Sequence, residues 1–288
     1  MGIIKKTPRI WDYLNDNPNV LKKIERIKAV IHRYNSPKLK ILFDKFRPQV
    51  IACSQAFPCG MVADYKKIYN SSLPLVAVLT DYVPHSYWIY DSIDYYITPS
   101  SEVMQQLIAK KGVASKFIKP LGIPFDPKFN QPVDKRRIFK NYKLNPELPT
   151  ILIMGGGQGI GPIKTMVDTL DRSKMDFQEI VITGVNKRLY QRLKRRLKHY
   201  KKKVLLLGFV DNIDELMCIS NIVITKPGGI TTAEALAKAL AMIIVKPIPG
   251  QEESNTSYLI GKEAAIRLDN PKKINIMVED LLSNPNKI

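Results

Sequence analysis

Two glycine clusters carry most of the chemistry this sequence could do. The first, Met154-Gly155-Gly156-Gly157-Gln158-Gly159-Ile160-Gly161, has five glycines in the seven residues from Gly155. An apolar run leads into it and a helical pattern follows. Glycines there let a ligand come close to the backbone and expose N–H donors, and phosphate is the natural guest. A plain tight turn would use the same residues. The second cluster is Lys226-Pro227-Gly228-Gly229-Ile230-Thr231-Thr232-Ala233-Glu234. Two glycines there precede a helix with two hydroxyls in its first turn. Its N–H groups and the positive end of the helix dipole suit a diphosphate. Glu234 lies close enough to reach a ribose hydroxyl pair. The competing reading is a capping box, with Thr231 as cap and Glu234 three residues on. Two such loops in one sheet favour a nucleotide.

A nicotinamide dinucleotide fits less well. The strict Gly-x-Gly-x-x-Gly spacing fails at Ile160 and at Pro162, and the next strand ends Thr183-Gly184-Val185-Asn186, without the ribose-binding acid. Two weaker segments follow strands as well. Pro247-Ile248-Pro249-Gly250-Gln251-Glu252-Glu253-Ser254-Asn255 gathers amides and carboxylates that can bind sugar hydroxyls, or simply begin a solvated helix. In Thr80-Asp81-Tyr82-Val83-Pro84-His85-Ser86-Tyr87-Trp88, Asp81 and His85 could move a proton or bind an acceptor. Tyr82, Tyr87 and Trp88 could meet lipid or sugar faces, and His85 could equally be structural. The three histidines are far apart and Cys53, Cys59 and Cys218 form no Cys-x-x-Cys pair. No metal site is expected, and the cysteines read as free thiols in a reducing compartment.

The elements that must position these groups alternate. Strands are expected at Val50–Cys53, Leu75–Thr80, Tyr95–Thr98, Thr150–Met154, Glu179–Gly184, Val204–Gly208, Asn221–Thr225 and Met242–Lys246. Helices are expected over 20–47, Phe57–Tyr69, Glu102–Lys111 (Ser100 as cap), from Pro162 onward, Asn186–Tyr200, Asn212–Cys218, Thr232–Leu240 and Gln251–Lys262. The alternation implies parallel α/β sheets covered on both faces, with ligands at the carboxyl ends of the strands. Residues 1–124 and 150–288 read as two lobes. Residues 125–149, rich in Pro, Asn, Lys and Asp, read as the linker.

Composition is that of a globular protein, with 45% apolar and 25% charged residues. The first ten residues hold no signal-length apolar run, and no stretch is long enough to span a bilayer. The net charge of +19 predicts attraction to a polyanion. It is densest from Asn186 to Lys203, with ten Lys or Arg and no acid. Leu189, Leu193, Leu197 and Tyr200 give that stretch one buried face. The other face is either merely solvated or lies near lipid phosphates. No nucleic-acid motif accompanies the charge, so no nucleic acid is expected as partner.

Taken together, the four segments, with Gly208-Phe209-Val210 between them, resemble the family of monogalactosyldiacylglycerol synthases and processive diacylglycerol glucosyltransferases, more distantly related to the peptidoglycan enzyme that adds N-acetylglucosamine to lipid I. The resemblance runs from about Pro48 to Leu268. It implies two Rossmann-like lobes of the GT-B type facing across a cleft. It implies that Phe209 and Val210 frame the uracil, Gly228, Gly229 and Thr231 meet the diphosphate, and Glu234 meets the ribose. Gln251, Glu252 and Asn255 would lie near the donor sugar, and Gly156 and Gly157 would line the cleft. His85 and Trp88, with Tyr82, would face the acceptor and membrane side, and His85 and Asp81 are the candidate catalytic pair.

The implied activity is inverting transfer of glucose or galactose from UDP-glucose or UDP-galactose to diacylglycerol. It needs no cofactor beyond the UDP-sugar substrate and no active-site metal. The expected location is cytoplasmic, peripheral on the inner face of the cell membrane, against an anionic surface. Family members begin with a strand and a Gly-x-Gly-His loop that this sequence lacks, so the amino lobe is expected to be incomplete, with an open sheet edge. The alternatives are a non-catalytic UDP-sugar-binding remnant of the family and a UDP-N-acetylglucosamine epimerase-like enzyme.

Overall fold

The computed structural model describes residues 18–284. The first ten residues, expected to carry no signal, lie outside them. The chain divides into two compact units. One runs to Pro124 and includes Ile248–Ser254; the other comprises Phe125–Pro247 and the chain from Asn255.

The first unit opens with helix α1 (Pro18–Phe46), which contains Pro37. A proline inside a helix removes one donor and displaces the carbonyl a turn earlier. Just ahead of it, Asn35 and Ser36 turn their side chains back to the carbonyls of Ile31 and His32, at 2.8 and 2.9 Å. A parallel sheet follows, built from β1 (Ile51–Cys53), β2 (Leu75–Val78), β3 (Tyr95–Thr98) and β4 (Ile118–Pro120) in the order β1-β2-β3-β4. Helices α2 (Ala56–Tyr69) and α3 (Ser101–Lys111) connect it. Ser100 caps α3 as expected, accepting from the Val103 N–H. Cys59, Leu75, Ala77, Val103 and Leu107 are fully buried between these layers. Lys66 is buried on α2 and ion-paired to Asp94, whose carboxylate also accepts from the Leu75 N–H at 2.7 Å. A buried ammonium is tolerable only with such a partner.

The second unit is a six-stranded parallel sheet. Its strands are β5 (Thr150–Met154), β6 (Gln178–Ile182), β7 (Lys203–Leu207), β8 (Ile222–Thr225), β9 (Ala241–Val245) and β10 (Ile266–Leu268), ordered β10-β9-β8-β5-β6-β7. Counted from its first strand the order is 3-2-1-4-5-6, the dinucleotide-fold order, and it reverses between β5 and β8. The central strands are buried on both faces, so β5 and β8 read in sequence as largely apolar runs, while β6 opens with the buried polar Gln178 and Glu179. Each fully buried Ile or Leu there contributes about 1.5–3 kcal/mol.

The helices of this unit are α4 (Lys135–Asn141), α5 (Ile163–Leu170), α6 (Lys187–Lys194), α7 (Ile213–Cys218), α8 (Gly229–Ala237), α9 (Gln251–Gly261, whose first turn falls in the other unit) and α10 (Ile274–Ser283). The basic helix ends at Lys194, earlier than its periodicity suggests, and the stretch continues as a single tight turn, Leu197–His199. Leu193 is buried, with Leu189 and Tyr200 packed beside it. Residues 125–149, expected as a linker, carry a turn at Pro127–Asn130 and α4, and bury Phe129, Ile138 and Leu144. Asp126 and Asp134 cap these two pieces. The polar composition that suggests a loop is therefore partly the composition of helix starts.

Candidate nucleotide-sugar site

The carboxyl ends of β5 and β8 flank the point where the strand order reverses, and each carries one of the two glycine clusters. The first loop folds back on its own strand. Ile160 N–H donates to the Gly155 carbonyl and Gly159 N–H to the Gly156 carbonyl, both at 3.0 Å, while Val185 N–H donates to the Gly157 carbonyl at 2.9 Å. Gly159 has φ +57°, and a Cβ there would collide with the Thr183 carbonyl oxygen. Gly157 differs, because a Cβ there would meet nothing within 4 Å. The loop is thus a tight turn on one side and open at Gly157. Asn186 holds it in place, donating from Nδ2 to the Gly159 carbonyl at 3.2 Å and capping α6 through Oδ1. It stands where a dinucleotide site would need an acid.

The second cluster begins a helix three residues earlier than expected. Gly228 is the cap position and α8 starts at Gly229. Thr231 therefore lies inside the first turn, and the capping box of Thr231 and Glu234 does not form. Thr232 N–H bonds the Gly228 carbonyl at 2.9 Å, so the amides of Gly229, Ile230 and Thr231 precede the first intrahelical bond. Gly228 has no side chain with which to cap this end. Asn255 is 1% exposed, and its Nδ2 donates to the Pro227 carbonyl at 3.0 Å. The amide expected near a sugar is spent on fixing the turn. In the other unit, Gln251 is exposed, and Glu252 accepts from the Ile248 N–H at 2.8 Å, closing the start of α9.

After β7, Phe209 is 62% exposed. A large ring held in water at a strand's carboxyl end is available for stacking. Glu234 is partly buried, and desolvation raises its carboxyl to about 7; Lys128 opposes the rise, while Asp126 and Asp214 add to it. Sequence reasoning missed Lys128. It lies in the segment read as linker, and only the tertiary fold brings it to this site.

The residues expected on the acceptor side lie in the first unit. Asp81 and Tyr82 are 9% and 6% exposed, and Trp88 is 2% exposed within that unit's core. Trp88 and Tyr82 therefore do not present rings to lipid as expected, because they fill the core beside the sheet. His85 is half-buried, edge-on to Tyr87 at 5.6 Å and tilted against Trp88 at 6.2 Å. Thr80 ties this segment to the end of β1 by donating to the Ser54 carbonyl at 3.3 Å. Among the described residues no cluster of metal-ligating side chains occurs, and no helix is long and apolar enough to cross a membrane.

Two parallel α/β units, one with glycine turns on both sides of its switch point, are those of GT-B glycosyltransferases. Residues 4–125 match the monogalactosyldiacylglycerol (MGDG) synthase family, and residues 150–286 match the glycosyltransferase family 28 C-terminal domain. The processive diacylglycerol beta-glucosyltransferase of Bacillus licheniformis is 32% identical over 90% of this chain and 67% of its own length. That of Bacillus subtilis is 31% identical over 88% and 66%. The chain belongs to this family of diacylglycerol glycosyltransferases, and it spans about two thirds of the length of these relatives. Solved structures share the fold. Acinetobacter baumannii MurG superposes with TM-score 0.60 at 14% identity, over 93% of this chain and 72% of that chain. A putative UDP-N-acetylglucosamine 2-epimerase from Listeria monocytogenes gives 0.63 at 15%, over 90% and 73%. Anabaena Alr3699/HepE in complex with UDP-glucose gives 0.55 at 14%, over 90% and 73%.

Proposed function

We propose that this chain binds a UDP-hexose in its second unit and transfers the hexose, with inversion, to a hydroxyl of diacylglycerol. The carrying observation is the uncapped start of α8 beside the open Gly157 turn, on the switch point of a sheet whose relatives are named diacylglycerol glucosyltransferases. The diphosphate lies on the amides of Gly228, Gly229 and Thr231, the ribose on Glu234, and the uracil against Phe209 and the Val210 backbone. Gly156 and Gly157 border the donor, and Gln251 and Glu252 are the candidates for the hexose hydroxyls. Asn255 acts through the turn it holds. The relatives' names favour glucose over galactose.

In the reaction the acceptor hydroxyl loses its proton to a base, with Asp81 and His85 as the candidates. Its oxygen forms the new bond to the anomeric carbon, and UDP leaves with the electrons of the old one. The N–H groups and dipole at α8 offset the charge that develops on the departing diphosphate. Diacylglycerol resides in a membrane, so we place the chain peripherally at the cytoplasmic face. The basic stretch Lys187–Lys203 supplies attraction to anionic lipid, about 1 kcal/mol per residue near the surface.

The test is calorimetric titration with UDP, UDP-glucose and UDP-galactose, followed by turnover with diacylglycerol vesicles of neutral and of anionic composition. Binding with transfer supports the reading and names the sugar. Binding without transfer supports a non-catalytic remnant, and failure to bind any of the three nucleotides overturns the donor site. Equal binding to neutral and anionic vesicles refutes the role of the basic stretch. The Listeria neighbour keeps an epimerase-like reading in view; release of free sugar without lipid would support it.

A further inference from the structure

Lys128 follows Asp126 and Pro127 on a single tight turn. The Asp126 Oδ1 accepts from the Lys128 N–H at 3.0 Å, and Phe129 anchors the turn at 2% exposed. Its Nζ donates to the Asp211 carbonyl at 2.8 Å, directly after Phe209 and Val210. The same ammonium stands 3.5 Å from Asp214 Oδ1 and 3.9 Å from Asp126 Oδ2. The turn that carries it packs against α8, where its charge acts on Glu234 against those of Asp126 and Asp214. One cation therefore sits among three carboxylates that would otherwise repel one another. The side chain is 38% exposed, so its ion pairs alone hold it weakly. The hydrogen bond to a backbone carbonyl gives it direction.

Resting on the donor-site reading above, we propose that Lys128 is a positioning residue for the nucleoside end of the donor: it fixes the Phe209–Asp211 loop through the Asp211 carbonyl and keeps the Glu234 carboxylate available for the ribose. Burial works against ionised Glu234, and Lys128 is the charge that counters it. A residue that merely braced the loop would change affinity equally at every pH. One that supports an ionised partner changes it at and below that partner's midpoint and progressively less above it.

The experiment titrates the Glu234 carboxyl by NMR in ligand-free protein labelled at glutamate, with the resonance assigned by its loss in E234Q. Wild type, K128M, K128Q and K128R are compared, and UDP-glucose affinity is measured at pH 7 and pH 9. In K128M and K128Q the Glu234 midpoint should move upward, while K128R should keep it. If that midpoint rises by about one pH unit, affinity falls about fivefold at pH 7 and by less than about twofold at pH 9. K128Q keeps a donor for the Asp211 carbonyl, so it separates charge from anchoring and serves where K128M does not fold. An unmoved Glu234 midpoint, or equal losses at both pH values, overturns the proposal. If wild type binds no UDP-glucose at either pH, the donor reading falls, and the ligand-free titration still decides the coupling of Lys128 to Glu234.

Discussion

Glu234 gives the sharpest prediction. Its carboxyl is raised to about 7, chiefly by desolvation, so near neutrality about half of it carries charge. A carboxylate accepts hydrogen bonds from both ribose hydroxyls; a carboxylic acid gives up part of that capacity. If UDP-glucose binds the ionised form, the apparent Kd is the intrinsic Kd divided by the ionised fraction. That fraction is about one-eleventh at pH 6 and about ten-elevenths at pH 8, so affinity should rise about tenfold, or about 1.4 kcal/mol, across this range. The diphosphate of UDP-glucose is a diester and does not ionise there, so the slope belongs to the protein. Calorimetry at pH 6, 7 and 8, in buffers of different ionisation heat, reads both the slope and the proton released. E234Q should lose the slope, and E234A should bind about 1–3 kcal/mol more weakly at pH 8. Unchanged affinity in E234A, or an equal slope in E234Q, would refute the assignment of Glu234 to the ribose.

Phe209→Ala should leave stability within about 0.5 kcal/mol, since the ring is exposed. It should weaken UDP binding by about 1–3 kcal/mol, the range for base stacking on an aromatic ring, while leaving pyrophosphate binding unchanged; equal losses for both ligands would count against stacking. Gly159→Ala combines a left-handed backbone with a backbone collision, so its urea midpoint should fall by an amount worth more than about 1 kcal/mol, whereas Gly157→Ala should fold normally and bind UDP-glucose less well. A stable Gly159→Ala would mean that the turn rearranges freely. Glu179 is fully buried on β6, and among the described residues neither carboxyl oxygen has a hydrogen-bond partner. Burial holds its pKa well above 4.5, Asp171 adds to the rise and Lys202 opposes it. The folded state thus keeps a proton that the unfolded chain releases, and this contribution to stability is lost as pH rises above the unfolded value. Against E179Q, wild type should lose ground above that pH by up to about 1.4 kcal/mol per unit; parallel stability curves for the two proteins would refute the buried proton.

The second sheet was legible because its central strands are buried on both faces, and five-residue apolar runs such as Thr150–Met154 stand out between turn residues. Strands β4 and β10 have three residues each, too few to show a period, and neither was anticipated. The segment from Phe125 to Pro149 reads as a linker for a related reason. Its buried anchors Phe129, Ile138 and Leu144 are too sparse for a pattern, and its aspartates cap helices that the eye takes for loop. Around the site, residue type indicated chemistry but not orientation. Trp88 looks available in a loop and is core, whereas Phe209, expected beside a uracil, is exposed. Glu234 and Asn255 make the same point beside one turn. Both are polar and both fall in segments that resemble a donor site. Asn255, fully buried, must satisfy its amide inside the protein, and it does so on the Pro227 carbonyl, so the shape of the turn depends on it. Glu234 keeps enough solvent to ionise, but under strain from burial. A ribose that hydrogen-bonds it would relieve that strain, which is why the sugar rather than the fold should be the partner that draws its proton off.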